Sequence, residues 1–172
     1  KSLSTNTNPR EARIAEFVSA LKRLDAGGRA RLRRNAGRSL AQARDAQRVF
    51  FQLLPYGVHE RDEDKYFLLA TLFALSRQAS DGKGSFGTAL RRLRDSKRSS
   101  SLDRRFQALL ACDSDQLPFR LRQMVRLAVS QNVSIDWEQM LKDMLFWDAP
   151  EKWVQLKWAR DYFVGKQAEN PS

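Results

Sequence analysis

The chain of 172 residues holds a single cysteine, Cys112, and a single histidine, His59. One cysteine forms no intrachain disulfide, and Cys112 with His59 supplies neither a Cys/His zinc site nor a dithiol redox pair. A reducing cytoplasm is the compartment expected. No uninterrupted apolar run approaches the roughly 18 residues of a membrane span, so no membrane partner is expected. The opening KSLSTNTNPR has no apolar core of the signal-peptide kind. Negative charge is also short. Asp and Glu number 20 against 31 Lys and Arg, for a formal charge of +11 and a pI near 10.4. Such an excess attracts a polyanion.

With 42% hydrophobic residues the chain can build a core without covalent staples. Apolar spacing is helical throughout. Ile14, Phe17, Val18, Leu21 and Leu24 follow the i, i+3, i+4, i+7 pattern behind Asn8 as N-cap, Pro9 and the capping-box acid Glu11. This helix is expected to stop at Gly27 and Gly28. Similar stripes run through Leu102, Phe106, Leu109 and Leu110, through Leu117, Leu121, Met124, Val125 and Ala128, and through Trp137, Met140, Leu141, Met144 and Leu145. Asp136 should cap the last of these, with Gln139 answering it and Ile135 stapling onto Met140. A final helix is expected from about Pro150 to Val164, with Trp153, Leu156, Ala159 and Phe163 facing inward. YFLLATLFAL (66–75) is apolar all round, which marks a central helix. No two-residue hairpin turn lies between alternating strands.

The expected fold is therefore all-α, about nine helices in two small packed bundles. Their expected extents are 8–82 and 83–166, with 1–7 and 167–172 as flexible ends. The turn-rich SDGKGS (80–85) is the expected break, and KRSSS (97–101) a second flexible candidate.

The charge is concentrated in two blocks. Lys22 to Arg48 holds nine basic residues against two acids, and Lys83 to Arg105 eight against two. Arginine dominates both, and its planar fork grips phosphate bidentately. Trp137, Trp147, Trp153 and Trp158 have spacings that fit core packing, leaving no stacking platform, so the chain reads as a binder of backbones. The candidate contacts are Arg33, Arg34, Arg38, Arg91, Arg92, Arg94, Lys97, Arg98, Arg104, Arg105, Arg122 and Arg126.

Catalytic groups are few, and no metal site or cofactor is expected. His59 stands in a charged loop, and the run Glu60, Asp62, Glu63, Asp64 is better explained by the positive end of a helix dipole than by a nuclease metal cluster. Cys112 suits a small buried residue. Ser85, Phe86 and Gly87 at a helix start leave two readings open, an anion site or close packing of Gly87 on a neighbouring helix.

The ordered set RARLRR (29–34), FFQLLP (50–55), YFLLATLFAL (66–75), SFGTALRRL (85–93), RRFQALL (104–110), LRQMVRL (121–127), IDWEQMLKDMLFW (135–147) and VQLKWARDYF (154–163) resembles the CasB family. These are the small subunits of the type I-E Cascade CRISPR surveillance complex. The similarity runs over most of residues 10–165. It implies a non-enzymatic helical subunit, present as a head-to-tail pair beside the other Cascade subunits and the crRNA. Such a subunit contacts target DNA and the displaced single strand and stabilises the R-loop, while guide pairing reads the sequence. Arg33, Arg34, Arg104 and Arg126 fall where the family places basic residues, whereas Arg91, Arg92, Arg94, Lys97 and Arg98 rest on local charge. The acids Glu60 to Asp64 argue against a strand contact near that loop. The alternative is a basic interaction module that docks an acidic protein, with nucleic-acid binding incidental.

Overall fold

The computed structural model describes residues 8–77, 82–96 and 99–165, and all structural statements below concern these residues. They form nine α-helices: α1 (Pro9–Lys22), α2 (Ala26–Arg34), α3 (Gln47–Leu53), α4 (Glu60–Phe73), α5 (Phe86–Ser96), α6 (Ser100–Ala111), α7 (Leu117–Ser130), α8 (Trp137–Met144) and α9 (Trp153–Phe163). A single 3-10 turn, Arg44–Ala46, precedes α3, and there is no strand among the described residues. The fold is all-α, as the spacing predicts.

The expected stripes are the buried ones in α1, α6, α7 and α8, except that Leu24, Leu110 and Leu145 at their ends are only partly buried. Every residue from Tyr66 to Phe73 in α4 is buried, so this helix is the centre on which others pack. Its first turn carries Glu60, Asp62 and Glu63, which suit the positive helix end. Helices α2, α7 and α8 all pack on α4, and α8 packs on α1 as well. Helix α5 packs chiefly on α9, and α6 on α7 and α9. Aromatic edges thread the core, with Phe17 against Tyr66 and Phe50, Phe73 against Trp137, and Trp158 against Phe86 and Trp147.

Both N-caps form as expected, but the Gln139 side chain does not answer Asp136, since its Nε2 donates to Asp143 at 2.9 Å. Asn8 accepts from the Arg10 amide at 3.0 Å, and Asp136 accepts from Gln139 N–H at 3.0 Å. Glu11 departs from its capping-box role by pairing with Lys142 of α8 at 2.5 Å. Gly27 and Gly28 do not end a helix. Helix α1 has already stopped at Lys22, and Asp25 opens α2 by accepting from Gly28 N–H at 2.7 Å. A Cβ on Gly28 would stand 2.9 Å from Leu24 Cδ1, so the glycine gives clearance rather than a C-cap.

The expected inner face of the last helix is wrong in phase. Val154, Gln155, Trp158 and Tyr162 are buried, whereas Trp153, Phe163 and especially Leu156, at 59% exposure, face outward. The helix has apolar residues on both faces, so periodicity alone cannot choose between them. Its start shifts because Lys152 holds a left-handed φ of 53°, which keeps Pro150–Lys152 out of the helix. Two further features seat the inner face. Asp143 in α8, with no exposure, accepts from Lys157 Nζ at 2.6 Å, Trp158 Nε1 at 2.8 Å and Gln139 Nε2 at 2.9 Å. Gly87 of α5 sits so close that a Cβ there would fall 2.2 Å from the Trp158 carbonyl oxygen.

Candidate nucleic-acid interface

The arginines that look alike in sequence have different partners. On α5, Arg91 Nη1 donates to the Tyr162 carbonyl at 3.0 Å, with Asp95 at 3.8 Å from its Nε. Arg94 Nε stands 3.3 Å from Asp103, and its guanidinium lies over the Tyr162 and Phe163 rings. Asp103 also accepts the Tyr162 hydroxyl, and burial together with that hydrogen bond pushes the phenol well above its ordinary range. Arg91 and Arg94 thus hold the end of α9, and only Arg92 of this trio is exposed. Lys97 and Arg98 lie outside the described residues, as do Ser80 and Asp81 at the start of the 80–85 break. From the other block, Arg29 is occupied in the same way, donating to the Ser76 carbonyl at 2.7 Å and covering Phe73.

A second group surrounds a cavity of about 780 Å³. Arg33 enters it from the last turn of α2, Arg126 from α7, and Arg77 from the segment following α4. Leu75, Val129 and Val133 supply an apolar wall, and no acid lines the cavity among the described residues. Asn132, at a left-handed φ of 57°, turns the chain after α7 to close the far side. Neither a hydrogen bond nor an ion pair to described residues engages the side chain of Arg33, Arg77 or Arg126. Three uncompensated positive charges about one concave surface focus the field on an incoming anion.

The turn that follows α2 meets α7 beside this surface. Gly37, with φ +85°, lies against Arg122, whose Cδ would be 3.0 Å from a Cβ at that position. The Arg122 Nε is buried and finds no hydrogen-bond partner. Arg34 and Arg38 are exposed, and Arg34 meets only the exposed Asp45 at 3.7 Å, a pair weak enough to leave it available. Arg104 and Arg105 are exposed on α6. Sequence reasoning missed Arg77 because it lies outside both basic blocks, and only the packing of α4 near α7 brings it to the cavity.

The remaining candidates resolve into structural roles. Ser85 caps α5 through the Thr88 amide and donates to Asp161 at 2.6 Å, so a carboxylate already occupies that helix start. With Gly87 pressed on Trp158, the close-packing reading prevails over the anion site. Cys112 is buried, which pushes its thiol up in pKa, and no group of three or more potential metal ligands converges among the described residues. Three of the four tryptophans are core, whereas Trp153 is partly exposed against Phe146, with Lys157 over its ring. Tyr56 and Phe119, outside the tryptophan set, are the more exposed aromatics.

Residues 28–163 match the model of the CRISPR-associated protein Cse2 family. The chain belongs to that family. It is 38% identical over 112 residues to the CRISPR-associated protein Cse2 of Thermus thermophilus, a match covering 64% of this chain and 62% of that relative. The crystal structure of M. ruber CasB is 31% identical, with a TM-score of 0.75, and the match covers 89% of this chain and 93% of that one. A chain of a CRISPR RNA-guided surveillance complex shares the fold at 20% identity, with a TM-score of 0.77 and coverage of 90% of this chain and 94% of that one. The Cse2 family thus accounts for the ordered motifs, α2 through α9 lying within or across the matched span.

Proposed function

We propose that this chain is the non-catalytic small subunit of a type I-E Cascade complex, holding nucleic acid by backbone charge and stabilising the R-loop. The observation that carries this reading is the cavity where Arg33, Arg77 and Arg126 converge with no acid and no side-chain partner among the described residues. Membership of the Cse2 family, and the likeness of the fold to a chain of an RNA-guided surveillance complex, support it. Its partners are then the other Cascade subunits, the crRNA, target DNA with the displaced single strand, and a second copy of itself in the cytoplasm. Arg34, Arg38, Arg92, Arg104, Arg105 and Arg122, with Lys97 and Arg98, extend the contact to neighbouring phosphates. On this reading the two bundles are 8–82 and 83–166, and α8 of the second packs on α1 and α4 of the first.

Backbone contacts carry no sequence information. Replacing Arg33 and Arg34, or Arg104, by alanine in the reconstituted complex is expected to weaken R-loop formation at all target sequences alike. The same variants should flatten its salt dependence. A loss that varied with target sequence would contradict the backbone-binding reading. Loss of complex assembly with DNA affinity intact would favour an acidic protein as the partner of the basic face.

A further inference from the structure

A smaller cavity of about 220 Å³ lies between the start of α1, the turn at Gly57 and the first turns of α4, and Arg10, Arg13, His59, Arg61, Asp62 and Tyr66 line it. Arg10 is already held, with Asp62 Oδ2 3.5 Å away and the Phe146 ring centroid at 4.6 Å. Arg13 and Arg61 are not, since no hydrogen bond or ion pair to described residues engages either side chain. Arg13 is nonetheless fixed in place. Its guanidinium lies against Gly57, where φ is +89° and a Cβ would come within 3.1 Å of Arg13 Nε. With Asp62 occupied by Arg10, two guanidinium charges face the cavity without a counter-ion.

Tyr66 adds an observation independent of charge. It is 2% exposed, its ring packs on Phe17 at 5.0 Å, and its hydroxyl has no hydrogen-bond partner among the described residues. The ring is buried but the hydroxyl oxygen is not fully so, and it opens to the cavity it lines, free to donate to a bound anion. Burial first, and Asp62 second, push its phenol above the ordinary value, so it stays a donor. The amides at the start of α4 contribute little, because His59 takes the Arg61 amide on Nδ1 at 3.1 Å and the Asp62 amide on its carbonyl at 2.9 Å. An anion here is bound by side chains. Beside the cavity stands Tyr56, next in sequence to Gly57 and 101% exposed. A ring that buries no surface on its own protein offers a free face, and an unpaired base has the matching face, whereas a base within a duplex does not.

We propose that this cavity is a phosphate site for a single nucleic-acid strand, with Arg13, Arg61 and Tyr66 holding one phosphate and Tyr56 stacking on the adjacent unpaired base. The inference rests on the reading that the chain handles nucleic acid, but it uses a surface separate from the Arg33, Arg77 and Arg126 cavity. It also reverses the expectation that Glu60 to Asp64 keep strands away. Asp62 is neutralised by Arg10, and Asp64 accepts from the Leu40 amide at 3.4 Å.

The test is a titration of the isotopically labelled full chain, followed by amide NMR, with a 5′-phosphorylated thymidine trinucleotide, inorganic phosphate, and duplex DNA. The trinucleotide should shift the Gly57–Asp62 amides saturably. Tyr56→Ala should weaken it about tenfold while leaving inorganic phosphate unaffected. Arg13→Ala should weaken both, and Tyr66→Phe, which keeps the packed ring, should weaken both by a few-fold. Duplex binding should not respond to Tyr56→Ala. Shifts absent from Gly57–Asp62, or present but insensitive to Arg13→Ala and Tyr56→Ala, would overturn the site. If Gly57–Asp62 respond and the amides around Arg33 and Arg126 do not, the larger cavity loses its role and this site stands; the reverse pattern removes this site alone.

Discussion

The α5–α9 joint and the cavity between α2 and α7 are both lined by arginine, yet the two regions use it in opposite ways. At the joint, Arg91 and Arg94 meet a carbonyl, carboxylates and aromatic faces, so their charge is answered within the protein. At the cavity, Arg33, Arg77 and Arg126 meet no acid among the described residues. Local charge density therefore does not identify a binding residue. What separates the two is whether tertiary structure supplies a partner, and a guanidinium left without one on a concave surface is available to an external phosphate.

The joint should fail hardest when its closest approaches are disturbed. Asp143→Ala strips three donors of a buried acceptor and should lower stability by about 3–5 kcal/mol in chemical denaturation. Gly87→Ala should cost about 3 kcal/mol, because the new methyl cannot share space with the Trp158 carbonyl oxygen. The cavity should answer differently. Arg33→Ala with Arg126→Ala should change stability by no more than about 0.5 kcal/mol, while single-strand affinity falls about tenfold or more at low salt by fluorescence anisotropy. Arg94→Ala should show the converse, a loss of about 1–2 kcal/mol in stability with affinity per folded molecule unchanged.

A pH experiment sharpens the same contrast. The Tyr162 phenol is raised in the folded state above its ordinary value of 10.0. Its stabilising contribution is complete below the unfolded value and is lost as pH climbs beyond it, where only the unfolded chain ionises. Thermal unfolding should therefore steepen above about pH 10, less so in Tyr162→Phe, whereas the cavity variants should follow the parent curve. The smallest effect is expected from Asp45→Asn, which frees the exposed Arg34 and should shift stability by less than about 0.5 kcal/mol.

How far the sequence was legible follows the same division. Where one face is apolar and the other polar, as in α1, α7 and α8, spacing specifies which residues are buried. Helix α9 is apolar on both faces, and its phase was decided by partners distant in sequence, Asp143 and Gly87. Asp25 as a cap was likewise stronger than the glycine pair that follows it. Arg33 and Arg126 could be named from family resemblance, since nothing in their neighbourhood separates them from Arg29 or Arg94. Arg77 carries no local signal at all, because its place at the cavity is made by the meeting of α4's end with α7. Tyr56 looks in sequence like any loop tyrosine, and only its complete exposure beside the Arg13 cavity sets it apart.

The most direct test compares the salt dependence of single-strand binding for the parent chain, Arg33→Ala/Arg126→Ala and Arg91→Ala/Arg94→Ala, each under conditions where it is fully folded. Each phosphate contact contributes about 0.7 to the slope of log affinity against log salt on a single strand. The cavity pair should flatten the slope by about 1.4, and the α5 pair should leave it at the parent value. Equal flattening by both pairs, or flattening by the α5 pair alone, would contradict the claim that unpartnered arginines are the ones that bind.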